Sequence, residues 1–158
     1  MITTKIQIEP YLAEYVVGKY YDSALKCVLF PPFSDIYITI YDLTQKKLST
    51  PGIDVGNLEF ALPDRREANF SGGKKPEHYR YISQRGAKII ERRIRTMFWA
   101  EVHDTMDENK HKYGIDYAET AYMILRRYDI HSIQEDGIIK NYQRWRAKIR
   151  SKRKKIII

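Results

Sequence analysis

Residues 117–130, YAETAYMILRRYDI, and residues 131–155, HSIQEDGIIKNYQRWRAKIRSKRKK, decide how this chain is interpreted. The first segment carries side chains that recur at the spacing of one helical face, namely Ala118, Ala121, Tyr122, Leu125 and Tyr128. Asp116 precedes the segment and Glu119 follows three residues later, which is the reciprocal capping arrangement that marks a helix start. The segment is therefore predicted to form a helix that begins after Asp116.

A second helix is predicted to follow the short turn HSIQEDG. Ser132 is its N-cap candidate, and Glu135 and Asp136 fall in its first turn, where the helix dipole favours negative charge. The side that can fold back onto the rest of the chain consists of Ile138, Ile139, Tyr142, Trp145 and Ile149. Between positions 140 and 155 there are nine Lys or Arg residues and no Asp or Glu. Two or three cations would complement the dipole at a helix end, so this excess indicates a further role.

Two helices joined by a turn, the second one rich in Arg, form the arrangement that delivers side chains to a DNA groove. Asn and Gln can bind adenine through two hydrogen bonds, and Arg can bind guanine in the same way. The predicted base contacts are therefore Lys140, Asn141, Gln143, Arg144 and Arg146. The rest of the predicted nucleic-acid-binding set is Lys148, Arg150, Lys152, Arg153, Lys154 and Lys155, and from Arg150 onward these cations suit phosphates. A solvated charged tail, or a tail that binds an acidic protein or membrane surface, are the alternatives.

The positive charge belongs to the second half of the chain. Residues 1–73 carry seven basic and nine acidic side chains, whereas residues 74–158 carry twenty-one basic and eleven acidic ones. The net charge of the whole chain is +8. We predict an α+β fold with a small mixed α/β part over 1–73, for dimerisation or assembly, and a helical, basic, nucleic-acid-binding part over 74–158. The chain lacks the run of about 18–20 apolar residues of a membrane span and the pattern of a signal peptide. The single Cys27 is expected to be a buried thiol, so a cytoplasmic location is predicted.

Further elements are predicted from periodicity and turn residues. Strands are expected over residues 3–8, 24–30 and 58–62, a helix is expected from Pro10, and one long helix is expected over residues 77–109. Residues 36–43 fit a helix capped by Ser34, although Ile36, Ile38 and Ile40 also alternate as in a strand. Residues 44–57 and 63–76 are expected to be loops.

No pattern in the sequence predicts an enzyme or a cofactor. Walker, GxSxG, HExxH and CxxC motifs are absent. His103, Asp107 and His111 would share one helix face, but a metal site usually needs a further ligand, so no metal is predicted. Trp145 is expected in the core, with stacking on an unpaired base as the alternative.

The segments EPYLAEYVVGKYY (9–21), AYMILRRYDI (121–130) and EDGIIKNYQRWRAK (135–148) carry a family resemblance. The chain resembles small accessory proteins of phages and integrative elements in Bacteroides-type bacteria. The resemblance implies DNA binding, an α/β N-terminal part and a helix-turn-helix C-terminal part. In plan, the C-terminal part is also similar to Mor-type phage transcription activators, but no Gly holds the turn between Ile130 and Glu135.

The function expected from these observations is a non-enzymatic DNA-binding protein, a regulator from a phage or mobile element. Dimerisation through the N-terminal part and the long helix is expected, because dimers that read paired half-sites are the usual remedy for one short helix. The alternatives are a structural or assembly protein of a virion whose basic tail touches packaged nucleic acid, and an RNA-binding protein.

Overall fold

The computed structural model describes residues 1–46, 55–68 and 73–157, with side chains as far as Lys155. Its N-terminal elements are β1 (Thr3–Ile6), α1 (Pro10–Tyr20), β2 (Tyr21–Asp22), β3 (Cys27–Val28), α2 (Asp35–Leu43) and β4 (Leu58–Ala61). Three helices follow, α3 (Gln84–Lys112), α4 (Tyr117–Arg127) and α5 (Glu135–Ile157). The α+β class predicted from the sequence is confirmed.

The four strands form one small sheet in the order β1-β4-β3-β2. β4 is antiparallel to β1 and parallel to β3, and it pairs with β3 at Phe60 and Val28. The strand predicted over residues 24–30 is wrong except at Cys27–Val28, because the Asp22 carboxylate accepts hydrogen bonds from the amides of Ala24 and Leu25 and turns the chain. Cys27 is a buried free thiol, as expected.

The helix predicted after Ser34 is confirmed as α2, because the Ser34 hydroxyl caps it by accepting a hydrogen bond from the amide of Tyr37 at 3.4 Å. Lys74 closes the other end of α2. Its Nζ donates to the carbonyl oxygens of Tyr41, Asp42 and Thr44 at 3.2–3.3 Å, so these three acceptors at the C-terminal end of the helix are satisfied. Lys74 lies in the second predicted loop, and it is fixed by these contacts. Residues 47–54 and 69–72 of the two predicted loops lie outside the described residues.

Helix α3 is the central element of the fold. Its stripe Ile90, Ile94, Phe98, Val102 and Met106 is buried in one hydrophobic core with residues from both halves of the chain. The predicted boundary at residue 73 therefore marks a change in charge and secondary structure, while one core is shared across it. Because α1, α2 and α4 cover this stripe, it is not available for the dimerisation that we expected of the long helix.

The predicted start of the long helix at residue 77 is wrong. α3 begins at Gln84, because the Ser83 hydroxyl accepts a hydrogen bond from the amide of Gly86 at 3.0 Å and so caps the helix. The residues before this cap form a turn and a bridge from Tyr81 to Gln45.

The apolar face predicted for α4 is also partly wrong. Thr120, Ala121 and Ile124 are buried, whereas Ala118 and Tyr122 are exposed. The helix is rotated relative to the predicted face, so that Ile124, which lay outside that face, is buried in the shared core. The cap is as predicted, since the Asp116 carboxylate accepts a hydrogen bond from the amide of Glu119 at 2.8 Å.

Helix α1 fixes the turn between α4 and α5. The Glu14 carboxylate accepts hydrogen bonds from the amides of His131 and Ser132 at 3.3 and 2.9 Å. Gly18 lies so close to the turn that an added Cβ would be 2.3 Å from the carbonyl oxygen of Tyr128. The prediction that Ser132 caps α5 is wrong, because α5 begins three residues later, at Glu135.

We predict that Gly18→Ala lowers the free energy of unfolding by about 2–3 kcal/mol, because the new methyl group collides with backbone that cannot rotate away. In an exposed helix the same change would stabilise the protein by about 1 kcal/mol. The sign of the change in the free energy of unfolding therefore distinguishes a close contact from an open position. Urea unfolding measures the effect. Gly73→Ala is the control, since no atom of the described residues lies within 4 Å of its added Cβ. Equal stability of the two variants would contradict the close approach.

Candidate nucleic-acid interface

Helix α5 is held on α3 by a polar and aromatic cluster. His103 Nε2 lies 2.8 Å from Asn141 Oδ1, and the His103 ring stacks on Trp145 with centroids 4.3 Å apart and planes at 17°. The Tyr142 hydroxyl donates to the Asp107 carboxylate. Arg146 Nη1 lies 3.3 Å from the same carboxylate.

These contacts also fix the direction of α5. Residues 141 and 145, on successive turns of α5, both meet His103. Residues 142 and 146 both meet Asp107, one turn further along α3. The flank of α5 with Asn141 and Trp145 therefore faces the N-terminal end of α3, and the flank with Tyr142 and Arg146 faces its C-terminal end. The axis of α5 thus crosses the axis of α3 at a steep angle.

The first half of α5 is anchored in the core. Ile138 and Tyr142 are buried, and Ile139 and Trp145 pack against the same core, as the sequence predicted. Ile149, the fifth residue of the predicted inner side, is only half-buried and lies outside that core. Burial raises the pKa of Tyr142, and its hydrogen bond to Asp107 raises it further, so the hydroxyl remains a donor at neutral pH. Trp145 is half-buried with its ring on His103, which favours its predicted core role.

The second half of α5 projects from this anchor. The helix continues to Ile157, and every side chain from Arg150 to Lys155 is exposed. Among the described side chains, the carboxylates within 4.0 Å of a cation of α5 are Asp136, beside Lys140, and Asp107, beside Arg146. The remaining cations of the helix therefore face solvent on an ordered scaffold.

The predicted base-contact residues divide into two groups. Lys140, Gln143 and Arg144 are exposed, with Lys140 paired to Asp136 at 2.9 Å one turn earlier. Asn141 and Arg146 face inward and make the contacts to His103 and Asp107, so they hold the helix in place. Their positions on the inner side of α5 follow from their spacing with Tyr142 and Trp145, a signal that the sequence already contained.

The turn between α4 and α5 comprises residues 128–134. It is longer than the 3–4 residues usual in a helix-turn-helix. The two predicted helices are present, and α3, α4 and α5 pack against one another. Asp129 turns the chain with a φ of 54°, and the contacts to Glu14 take the place of the missing Gly.

A hydrogen-bond network that sequence reasoning missed is centred on Glu101 of α3. The Glu101 carboxylate of α3 accepts hydrogen bonds from Lys19 Nζ at 2.5 Å, from the Tyr15 hydroxyl at 3.2 Å and from the Tyr128 hydroxyl. Burial alone would raise the pKa of Glu101, but the bonds from Lys19 and Tyr128 and the charge of Lys19 outweigh it, so the pKa is lowered. The network ties α1, α3 and the end of α4 together.

The three residues considered as metal ligands in the sequence do not form a common site. His103 and Asp107 contact α5, and His111 is exposed. Within residues 1–46, 55–68 and 73–157, no group of three or more His, Cys, Asp or Glu side chains could hold a metal ion. None of the helices described is long and apolar enough to cross a membrane.

An open cavity of about 500 Å³ lies between α1 and the α4–α5 turn. Val17 and Tyr21 line it with 41% and 51% of their surface exposed. Two of its polar side chains are already bonded to backbone, since Glu14 binds the turn and Asn57 binds both the amide and the carbonyl of Ile8.

Comparison with known proteins gave no matching family model, no similar curated protein and no similar solved structure.

We predict that Glu101→Gln changes the pH dependence of stability. A carboxyl group whose pKa is lowered by folding stabilises the protein above its ordinary pKa of 4.5, and this stabilisation is lost as the pH falls through the lowered value. The variant should therefore lose less stability between neutral and acidic pH, while it is about 1–3 kcal/mol less stable at neutral pH. Urea unfolding at several pH values measures both effects, with the exposed Glu108→Gln as control. Parallel curves for Glu101→Gln and the unchanged protein would contradict the network.

We predict different effects on stability for two neighbouring arginines. Arg146→Ala should cost about 1 kcal/mol of stability, because it removes the partly buried ion pair with Asp107. Arg144→Ala should leave the unfolding midpoint unchanged, because its side chain is exposed. Thermal unfolding of the two variants measures the difference, and equal midpoints would show that Arg146 is not anchored.

Proposed function

We propose that this chain is a non-enzymatic protein that binds duplex DNA through α5. One observation carries the proposal. An ordered helix is held at one end by the core, and its other end displays a series of cations that no described carboxylate neutralises. Lys and Arg that are exposed on a rigid helix can exchange their counterions for phosphates, and this exchange supplies most of the affinity for DNA.

The proposed contacts of the α5 residues depend on their position along the helix. Lys140, Gln143 and Arg144 are exposed on the anchored half and can reach base edges. Lys148, Arg150, Lys152, Arg153, Lys154 and Lys155 suit phosphates. Asn141 and Arg146 would orient the helix by their inward contacts and would not read bases.

The role of a phage or mobile-element regulator, which the resemblance implies, belongs to the same proposal. So do a cytoplasmic location, which the buried free thiol of Cys27 supports, and assembly into a homo-oligomer. The oligomer would have to use a surface other than the apolar stripe of α3, because the core covers that stripe.

We expect the affinity for random duplex DNA to fall steeply with salt. If about six cations neutralise phosphates, the slope of log K against log salt is about −5. Replacing Lys152, Arg153, Lys154 and Lys155 by Gln should make the slope shallower by roughly 3–4, because each lost contact contributes about 0.9. Fluorescence anisotropy at several salt concentrations measures both slopes.

The control variant removes the same charge from the N-terminal part by replacing Lys5, Lys26, Arg65 and Arg66 with Gln. It should keep a slope close to that of the unchanged protein. Absence of binding, or binding that is insensitive to salt, would contradict the proposed function.

A second candidate function is a structural or assembly protein whose basic helix touches packaged nucleic acid. Its support is that two of the five predicted base contacts, Asn141 and Arg146, are used inside the protein, while the exposed cations beyond them suit phosphates. Enrichment of bound fragments from a random duplex pool separates the two functions, since a regulator yields a consensus sequence. Light scattering adds a second readout, because a large closed ring favours assembly and a dimer favours the regulator.

A further inference from the structure

The N-terminal half of α3 carries a second group of exposed cations. Arg85, Lys88 and Arg92 are spaced so that they share one face of the helix, and all three are exposed. No carboxylate among the described residues lies within 4.0 Å of them. By contrast, Arg93 pairs with Asp35 at 3.1 Å and Arg95 pairs with Glu9 at 2.5 Å.

This face is the one on which α5 crosses. The same spacing of three and four residues continues from Arg92 through Thr96 and Trp99 to His103. His103 is the residue against which Asn141 and Trp145 of α5 are held. The exposed cations of α3 therefore lie on the side of the protein from which α5 rises.

One flank of α5 faces these cations. Asn141 and Trp145 meet α3 on the N-terminal side of the crossing, and residues three, four or seven positions further along α5 lie near the same flank. Arg144, Lys148 and Lys152 occupy those positions and are exposed. The flank with Arg146 faces the opposite direction, toward Asp107.

Two rows of cations thus form the sides of a corner. Arg85, Lys88 and Arg92 line the side on α3, and Arg144, Lys148 and Lys152 line the side on α5. Arg92 lies eleven positions before His103, which is about 16 Å along α3. This distance exceeds the diameter of α5, so α5 does not cover Arg92. Asp107, an acidic residue on this face at the crossing, is already bonded to Tyr142 and Arg146.

We propose that this corner binds one stiff, double-stranded nucleic acid, with phosphates of one strand on Lys148 and Lys152 of the α5 row and phosphates of the other strand on the α3 row. Arg144 of the α5 row keeps its proposed contact with base edges. The proposal rests on the proposed function and adds a second contact surface to it. A duplex offers two rigid phosphate rows that can reach both sides of the corner at once. A single strand can bind to one row of cations without contacting the other row.

The test replaces Arg85, Lys88 and Arg92 together with Gln, which keeps a good helix former at each position. Lys5, Lys26 and Arg65 replaced by Gln form the control with the same change in charge. Salt titrations with a random-sequence DNA duplex and with one of its single strands are measured for both variants, for the unchanged protein and for a variant with Arg144, Lys148 and Lys152 replaced by Gln. Unfolding midpoints establish that each variant is folded.

For the α3 variant we expect the slope with duplex to become shallower by roughly 2–3, since three contacts of about 0.9 each are lost. With single strand its slope should change by less than about 1, and the control should leave both slopes in place. An α3 variant that behaves like the control, while the α5 variant loses affinity, would overturn this inference and leave the proposed function standing. Equal losses on duplex and single strand would also overturn it. Failure of the unchanged protein to bind DNA would remove the proposed function and this inference together.

Discussion

The crossing of α5 over α3 is the contact on which the display of charge depends. A carboxylate, Asp107, holds a buried tyrosine hydroxyl and an arginine, and one turn earlier His103 stacks on Trp145. These contacts join α5 to the helix that centres the whole core, so the exposed half of α5 leaves the protein in one direction. Without the anchor, the repulsion among clustered cations would favour an irregular, extended tail. With it, the positive charge acquires a fixed geometry.

The anchor is itself supported from below. Glu101, two residues before His103 and six before Asp107 on α3, draws α1 and the end of α4 onto α3. Glu14 and Gly18 of α1 hold the turn from which α5 starts. The N-terminal part therefore contributes to the proposed interface although it carries none of its cations. The two halves of the chain differ in the sign of their net charge, and both contribute residues to one core.

Much of this architecture could be predicted from local patterns. The caps at Ser34 and Asp116, the helix from Pro10 and the inner face of α5 all follow from short-range spacing and appear where the spacing placed them. The errors occurred where a distant residue decides the outcome. Ser132 has the chemistry of an N-cap, but Glu14 binds its amide from 118 positions away. Asn141 and Arg146 have the chemistry of base readers, and their spacing with Tyr142 and Trp145 already placed them on the inner side of α5, but their partners His103 and Asp107 belong to another helix. Such long-range partners cannot be read from the spacing of a single sequence.

The central claim is that α5 is a preformed helix and that the side of the protein it shares with Arg85, Lys88 and Arg92 docks duplex DNA. Mapping amide chemical shifts by NMR, with and without duplex, tests it most directly. The account predicts helical shifts through residue 150 in the free protein, and changes on adding duplex that are concentrated in residues 140–155 and 85–92. Random-coil shifts beyond the crossing in the free protein, or changes confined to α1 and the turn over 128–134, would contradict it.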